Sequence, residues 1–305
     1  REVLFENLSR RLKDAQAPLA GTDQLTGFEN VGRVLEVDQT PIGKNSRSCP
    51  ATYIGIMTAI RDLYAATNEA QARGYDASRF SFNKAVGACP VCAGQGLRTV
   101  EMNFLPDVKV LCEACAGKRF NPETLEVLWR GKSIGDVLEM EIDEAVDFFA
   151  SMPSIAYPLK LMQDVGLGYL TLGQPSPTLS GGEAQRLKLV TELAKVRTDG
   201  SFAARAPHTL YVLDEPTVGL HMTDVDRLSK VLSRLVDAGS TVVVIEHNLD
   251  IAADADWIID LGPEGGAKGG KVVAQGSPKM VARKNTATGI VLRAFLAEHK
   301  PVKSA

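Results

Sequence analysis

Leu210-Tyr211-Val212-Leu213-Asp214-Glu215-Pro216 joins an apolar run to a pair of carboxylates. Four apolar residues in a row, closed by a polar turn, read as a buried strand. The strand delivers Asp214 and Glu215 at its carboxyl end, where open α/β sheets bind their ligands. There Asp214 is placed to hold Mg²⁺ through water, and Glu215 to polarise an attacking water. A solvated acidic turn is the competing reading, and the flanking sequence has to separate the two.

Outward from this strand the pattern alternates. A helix over 183–196 precedes the strand at 209–213, and a helix over 223–237 follows it. A strand at 241–246, a helix at 249–254 and a strand at 257–261 come next. Apolar runs alternating with amphipathic helices predict an α/β fold with a largely parallel sheet. The chain closes with an edge strand at 271–275 and a helix at 289–298, and Thr198–Pro207 reads as a polar loop.

Upstream, 2–16 has helical spacing, 17–33 reads as loop, 34–37 as a short buried strand and 38–50 as a polar turn. A helix is expected over 52–71, a hairpin over 97–111 turning at Leu105-Pro106-Asp107, a strand over 123–130, and helices over 133–150 and 154–165.

The 305 residues carry a net charge of −3, with 45% hydrophobic and 23% charged residues. Those values exclude a wholly disordered chain, and no run of about 18 apolar residues offers a membrane span. The charge excludes a uniformly basic nucleic-acid coat but not a local basic face.

Four of the five cysteines form two Cys-x-x-Cys pairs, Cys89/Cys92 and Cys112/Cys115, 19 residues apart. That spacing suits a closed, tetrahedral four-thiolate Zn²⁺ site. Free thiols and an iron–sulfur cluster are the alternatives. Such use of cysteine favours a reducing, cytoplasmic setting. Over 73–132 nine basic residues face six acidic ones. An excess of three supports nucleic-acid binding only weakly, so a packing module stapled by metal stays open beside a nucleic-acid reader.

Two more stretches bear on the carboxylates. Leu179-Ser180-Gly181-Gly182-Glu183-Ala184-Gln185-Arg186 opens a helix, with Ser180 and Glu183 at capping-box spacing. The glycine pair leaves backbone N–H groups bare at a helix N-terminus, an anion site. Val242-Val243-Val244-Ile245-Glu246-His247 is a strand ending in a lone histidine, at the same sheet edge as Glu215 if the two strands are neighbours. In this order the stretches resemble the signature, Walker B and switch histidine of an ATP-binding-cassette ATPase. Gln39 fits the Q-loop position and Thr217 to His221 the D-loop.

A phosphate loop, G-x-x-x-x-G-K followed by Ser or Thr, is not found. Gly265 to Lys271 comes close, but Val272 replaces the hydroxyl and a strand follows; Gly43-Lys44-Asn45-Ser46 lacks the first glycine. With 2–16 in the position of the phosphate-loop helix, that loop is expected to precede Arg1. This chain by itself is then not expected to hydrolyse ATP.

A Cys₄ module between the Q-loop and the signature is no transporter feature. Arg73-Gly74-Tyr75, Arg79-Phe80-Ser81-Phe82-Asn83, the stretch Val100 to Asp107, Asp214 to His221, Ile245 to Asp250 and Asp260 to Gly266 resemble the UvrA family. The resemblance runs over nearly the whole chain and covers the family's C-terminal nucleotide-binding half. It implies a DNA-damage-recognition ATPase of nucleotide excision repair. Such a protein is a homodimer that binds duplex DNA with lesions and loads UvrB, with ATP, Mg²⁺ and Zn²⁺ as cofactors.

Carried over, Gln39 contacts Mg²⁺ and the γ-phosphate, Asp214 holds Mg²⁺, Glu215 activates water and His247 senses the γ-phosphate. Ser180, Gly181, Gly182 and Glu183 complete the site of the other cassette. Cys89, Cys92, Cys112 and Cys115 bind Zn²⁺, and Arg73, Arg79, Arg98 and Lys109 are candidates for DNA phosphates. The implied division is an ATP-binding core over 1–72 and 198–305, a zinc-stapled hairpin module over 73–132 and a helical signature subdomain over 133–197. Val218 and Cys49 depart from the family pattern and leave open a UvrA-like paralogue in drug resistance or tolerance. A transporter motor or chromosome-maintenance ATPase is disfavoured by the Cys₄ hairpin and by the lack of a long heptad insertion.

Overall fold

The computed structural model describes residues 2–43, 45–102, 104, 108–195, 207–264 and 269–298. The Leu105-Pro106-Asp107 turn, residues 198–206 of the polar loop and residues 265–268 of the glycine-rich loop lie outside them.

The helix expected over 2–16 is shorter: a π-helical turn, Glu2–Glu6, runs into α1 (Asn7–Arg11). Asn7 folds the following segment back, donating to the carbonyls of Val3 and Ala20 and accepting from the Ala20 amide. The next strand is β1 (Arg33–Val37). The single helix expected over 52–71 is three: α2 (Pro50–Tyr53), α3 (Ile56–Ala65) and α4 (Asn68–Ala72). Gly55, at φ 85°, turns the chain between the first two, and the Thr67 hydroxyl caps the third.

The hairpin forms from β2 (Leu97–Val100) and β3 (Val108–Leu111), antiparallel, with Thr99 opposite Lys109 and Arg98 opposite Val110. The strand expected over 123–130 is instead α5 (Pro122–Leu125) followed by the short β4 (Leu128–Trp129). Asn121 accepts from the Thr124 amide and Pro122 takes the first helical position; these start signals override the apolar run. β4 pairs with β5 (Lys132–Ser133).

Residues 133–150 form two helices, α6 (Ile134–Glu139) and α7 (Ile142–Phe148). The break at Met140 and Glu141 is extended so that its backbone can pair with Leu170 to Leu172. Then come α8 (Pro153–Asp164), α9 (Gly181–Leu193), β6 (Thr209–Asp214), α10 (Met222–Asp237), β7 (Thr241–Ile245) and α11 (Leu249–Asp254). The chain ends through β8 (Ile258–Gly262), β9 (Lys271–Gly276), α12 (Pro278–Val281) and α13 (Ala287–Glu298).

The central sheet is parallel, in the order β1-β6-β7, with Val37 level with Leu213 and Asp214 level with Ile245. β6 is therefore flanked on both sides, and its first five residues are buried. β8 and β9 depart from the parallel pattern and make a separate antiparallel ribbon.

The main core runs from the sheet through α3, α8 and α9 to the base of the cysteine module. Tyr64 meets Phe80 at 5.7 Å between ring centres and Phe82 meets Phe120 at 6.0 Å, all four fully or nearly fully buried. Burying each such ring is worth about 1.5–3 kcal/mol. The Tyr64 hydroxyl donates to the Lys132 carbonyl at 2.7 Å, so burial leaves no polar atom unmet there. Among the described residues no helix is long and apolar enough to cross a membrane.

Candidate nucleotide site and zinc centre

Parallel pairing brings the carboxyl ends of β1, β6 and β7 to one edge of the sheet. The Glu215 amide donates to the Ile245 carbonyl, continuing the ladder one residue past β6, and Glu215 takes a φ of 44°. Left-handed backbone is uncommon for a residue with a side chain and clusters at functional sites. From there Glu215 Oε1 lies 2.9 Å from His247 Nε2. Both groups remain accessible, with 41% of the Glu215 side chain and 74% of the His247 side chain exposed, so both are open to a ligand.

Gln185, buried on α9, donates through Nε2 to the carbonyls of Val37 and Asp214, each at 2.8 Å. It locks the ends of β1 and β6 together, two residues before Gln39. The Asp214 side chain is exposed at the edge and has no partner among the described residues. Its carboxylate and the Gln39 amide present oxygen atoms, the donor type that Mg²⁺ takes while keeping several waters.

The start of α9 lies against the same edge. Ser180 Oγ accepts from the Glu183 amide, and Glu183 Oε2 accepts from the Ser180 amide at 2.7 Å, a reciprocal capping box. Tyr169 donates to the other Glu183 oxygen at 2.6 Å. Burial, with the Glu183 carboxylate beside it, pushes the Tyr169 hydroxyl up to about 12. A Cβ on Gly181 would fall 2.9 Å from Gln39, and one on Gly182 would fall 3.2 Å from the Val218 carbonyl. The two glycines therefore admit the segments after β1 and β6 to the helix start, besides leaving amides bare.

Glu246 was not singled out in the sequence, yet it organises this edge. Its Oε1 accepts from the Thr217 amide at 2.8 Å and from the Thr217 hydroxyl at 2.6 Å. Its Oε2 accepts from the amides of His247 and Asn248 at 2.9 and 3.2 Å. One carboxylate thus ties the turn after Glu215 to the turn that carries His247. No motif marks this role, because it depends on β6 and β7 being neighbours.

The four paired cysteines converge and are all buried, with sulfur atoms within 4.8 Å of one another. Cys89 and Cys112 are 3.9 Å apart, and Cys92 and Cys115 are 3.7 Å apart. A tetrahedron of sulfurs about 2.3 Å from Zn²⁺ has edges of about 3.8 Å. Donor type, number and spacing therefore fit Zn²⁺. Each knuckle turns through positive φ, at Ala93-Gly94 and Ala116-Gly117, and the Gly96 amide donates to Cys92 Sγ at 3.3 Å. Burial pushes the Cys115 thiol up to about 12 and raises Cys92, whereas at Cys112 burial is outweighed by hydrogen bonds from Cys115 and the Ala114 amide, which hold that thiol below its usual value.

Arg119 fixes the base of the module. It is buried, donates to the carbonyls of Ser46 and Gly173 at 2.7 Å each, and stacks over Phe82. Beyond the cysteines the hairpin is exposed along almost its whole length, and Phe104 near its tip is 98% exposed. That aromatic tip was not singled out from the sequence.

The four basic candidates divide. Arg98 and Lys109 stand exposed on the hairpin with no ion-pair partner among the described residues. Arg73 instead bridges Glu69 and Glu126, and Arg79 donates to Thr124 and Asn121 and pairs with Glu123 at the module's base. Cys49 is buried and its sulfur lies 3.6 Å from the Thr52 hydroxyl, apart from the four-cysteine cluster.

No family model matches the chain. Over 296 residues it is 57% identical to UvrABC system protein A of Thermus thermophilus, and the match covers 97% of this chain and 30% of that protein. The corresponding protein of Staphylococcus aureus is 50% identical over 300 residues, with 98% of this chain and 31% of that protein covered. The crystal structure of UvrA2 from Deinococcus radiodurans matches with a TM-score of 0.82 at 47% identity, over 95% of this chain and 34% of that one. The chain thus spans about a third of the length of these relatives or less.

Proposed function

We propose that this chain, which belongs to the UvrA family and has its ABC-ATPase-type fold with a Cys₄ module, is part of a DNA-damage-recognition ATPase of nucleotide excision repair. The observation that carries the proposal is the joining, through one core, of an edge bearing Glu215 and His247 to a cysteine-stapled hairpin with an exposed, basic and aromatic surface. The first suits nucleotide chemistry and the second suits contact with duplex DNA.

In this reading the cassette core is 1–72 with 198–305, the hairpin module 73–132 and the signature subdomain 133–197. Glu215 orients and polarises the attacking water, and His247, 2.9 Å away, reports the γ-phosphate to the same edge. Asp214 and Gln39 hold Mg²⁺, which when bound neutralises charge on the phosphates. Ser180, Gly181, Gly182 and Glu183 present the start of α9 to the nucleotide of the other cassette, and the whole protein is read as a homodimer on the family resemblance. No phosphate loop occurs in these 305 residues, so hydrolysis is assigned to the whole protein.

A reader of chemically diverse lesions cannot depend on hydrogen bonds to particular base edges. It reads backbone position and deformability. Arg98 and Lys109 are the DNA-phosphate contacts that suit this best, with Phe104 as an apolar probe of unstacked bases. Arg73 and Arg79, engaged by acidic and polar neighbours, act mainly by holding the module in shape. Loading of UvrB belongs to the whole protein in the same reading.

The test is anisotropy of a fluorescent duplex, with and without a bulky lesion, titrated across salt with the wild-type chain and Cys112→Ala. Zinc content is measured on the same samples. The expected result is salt-dependent binding by the wild type that falls when Cys112→Ala loses its metal. A folded, zinc-loaded chain that binds no duplex would remove the hairpin as the DNA reader.

A further inference from the structure

Arg119 is 4% exposed, and no carboxylate pairs with it among the described residues. A guanidinium stays charged in a protein, and a buried charge without a counter-charge is costly. The carbonyls of Ser46 and Gly173 accept from it at 2.7 Å each, and its carbon lies 5.1 Å from the centre of the Phe82 ring. Two dipoles and a ring face carry no full negative charge. Burial holds the guanidinium below its usual pKa, and the neighbours that work against burial are the thiol groups of Cys49, Cys92 and Cys115.

The cysteine centre has the opposite excess. Four thiolates around one divalent cation leave two negative charges in a buried site. Arg119 is built into that site by its backbone and its stem. Its carbonyl accepts from the Cys89 amide at 2.8 Å. A Cβ on Gly96 would fall 3.1 Å from Arg119 Cγ, and Gly96 itself donates to Cys92 Sγ and accepts from the Cys112 amide. Arg119 holds a φ of 71°, a left-handed backbone that a residue with a side chain keeps only where its surroundings impose it. The neighbouring cations do not take its place. Lys118 is engaged by Asp136 at 2.6 Å, and Arg47, which donates to the Ala93 carbonyl, is exposed.

We propose that Arg119 is the counter-ion of the four-thiolate metal centre, and that it makes metal binding and the packing of two loops beneath the module a single equilibrium. One loop carries Ser46 and follows Gln39; the other carries Gly173 and leads to Ser180. The two are joined by the Ser176 amide, which donates to the Ser48 carbonyl at 2.8 Å, and by the Ser176 and Ser48 hydroxyls at 2.9 Å. Without the metal the guanidinium loses its counter-charge, and the loops lose the tie it gives them. Linkage makes the effect reciprocal, so removing the guanidinium weakens the metal. The proposal rests on reading the four cysteines as a metal site and is independent of the DNA-binding reading.

The experiment measures zinc affinity directly, by chelator competition, in the zinc-loaded chain and in Arg119→Gln, Arg119→Lys and Arg47→Ala. Loss of an outer-shell partner costs about 10–100-fold in metal affinity. Arg119→Gln is expected to fall in that range. Arg119→Lys keeps the charge without the planar fork and is expected to recover most of the loss. Arg47→Ala, at an exposed contact to the same module, is expected to match wild type. Equal losses in Arg119→Gln and Arg119→Lys would leave only the two carbonyl contacts as the role of Arg119 and overturn the proposal. Wild-type affinity in Arg119→Gln, or an equal loss in Arg47→Ala, would overturn it too.

Hydrogen exchange on the wild type decides the matter even if Arg119→Gln fails to fold. Stripping Zn²⁺ with chelator is expected to speed exchange at the amides of Ser48 and Ser176, while the amides of β6 stay protected. Unchanged exchange at Ser48 and Ser176, with the Cys112 amide released, would overturn the coupling. A wild-type chain that takes up no Zn²⁺ would instead refute the metal reading of the cysteines, and the proposal with it.

Discussion

Replacing Glu246 by Ala removes one carboxylate and four hydrogen bonds at once: two to Thr217 and one each to the amides of His247 and Asn248. A hydrogen bond to a charged group is worth about 1.5–3 kcal/mol. A simple sum overstates the loss, because Glu246 is half-buried and water can reach the freed amides. Four coupled bonds to one side chain also do not add. The expected destabilisation is about 2–4 kcal/mol. Urea unfolding followed by circular dichroism measures it as a lower midpoint at unchanged slope. Thr217→Val removes the shortest of the four bonds, at 2.6 Å, and a double-mutant cycle with Glu246→Ala should show coupling of about 1 kcal/mol. The reasoning fails if Glu246→Ala unfolds within about 0.5 kcal/mol of wild type, the usual range for a surface change, or if the two substitutions are additive.

Three further outcomes follow from the same geometry. Burial would push the Asp136 carboxyl up, but the Lys118 ammonium at 2.6 Å and the Ser133 hydroxyl and amide outweigh it and hold it below the usual carboxylate range. A depressed folded pKa adds stability above the unfolded value of about 3.9, lost as pH falls through the lower folded value. Acid unfolding should therefore be shallower below about pH 4 in Asp136→Asn, and identical acid limbs would show that the pair contributes nothing. Gly87→Ala places a Cβ inside the carbonyl of Arg79, a rigid backbone atom, so urea unfolding should show a loss of more than about 3 kcal/mol; a wild-type midpoint would mean that this loop can shift freely. In the full-length protein, Glu215→Gln should bind nucleotide and turn it over at least about 100-fold more slowly, whereas near wild-type turnover would exclude Glu215 as the residue that polarises water.

What the sequence by itself determined is local. The strand into Asp214 and Glu215, the capping box at Ser180 and Glu183, and the two cysteine pairs are all legible within a few residues, because their chemistry is set by neighbours along the chain. The hairpin over 97–111 was legible for the same reason. Two of the errors were local as well: the apolar run at 123–130 was outweighed by the Asn121 cap and Pro122, and Gly55 and Thr67 cut one helix into three, whereas the break at Met140 and Glu141 was set by pairing with Leu170 to Leu172.

Tertiary structure decided everything that rests on distance across the sheet. Parallel pairing of β6 with β7 made the Glu215–His247 contact and brought Thr217 to Glu246 with two of its four donors. The close approach of Gln39 to Gly181, the sulfur tetrahedron and the engagement of Arg73 and Arg79 by acidic and polar side chains are equally non-local. A charge count over 73–132 weighed four basic residues alike. Packing separated two that hold the module together from two that face solvent, because whether a charge is free depends on which side chains the fold brings beside it.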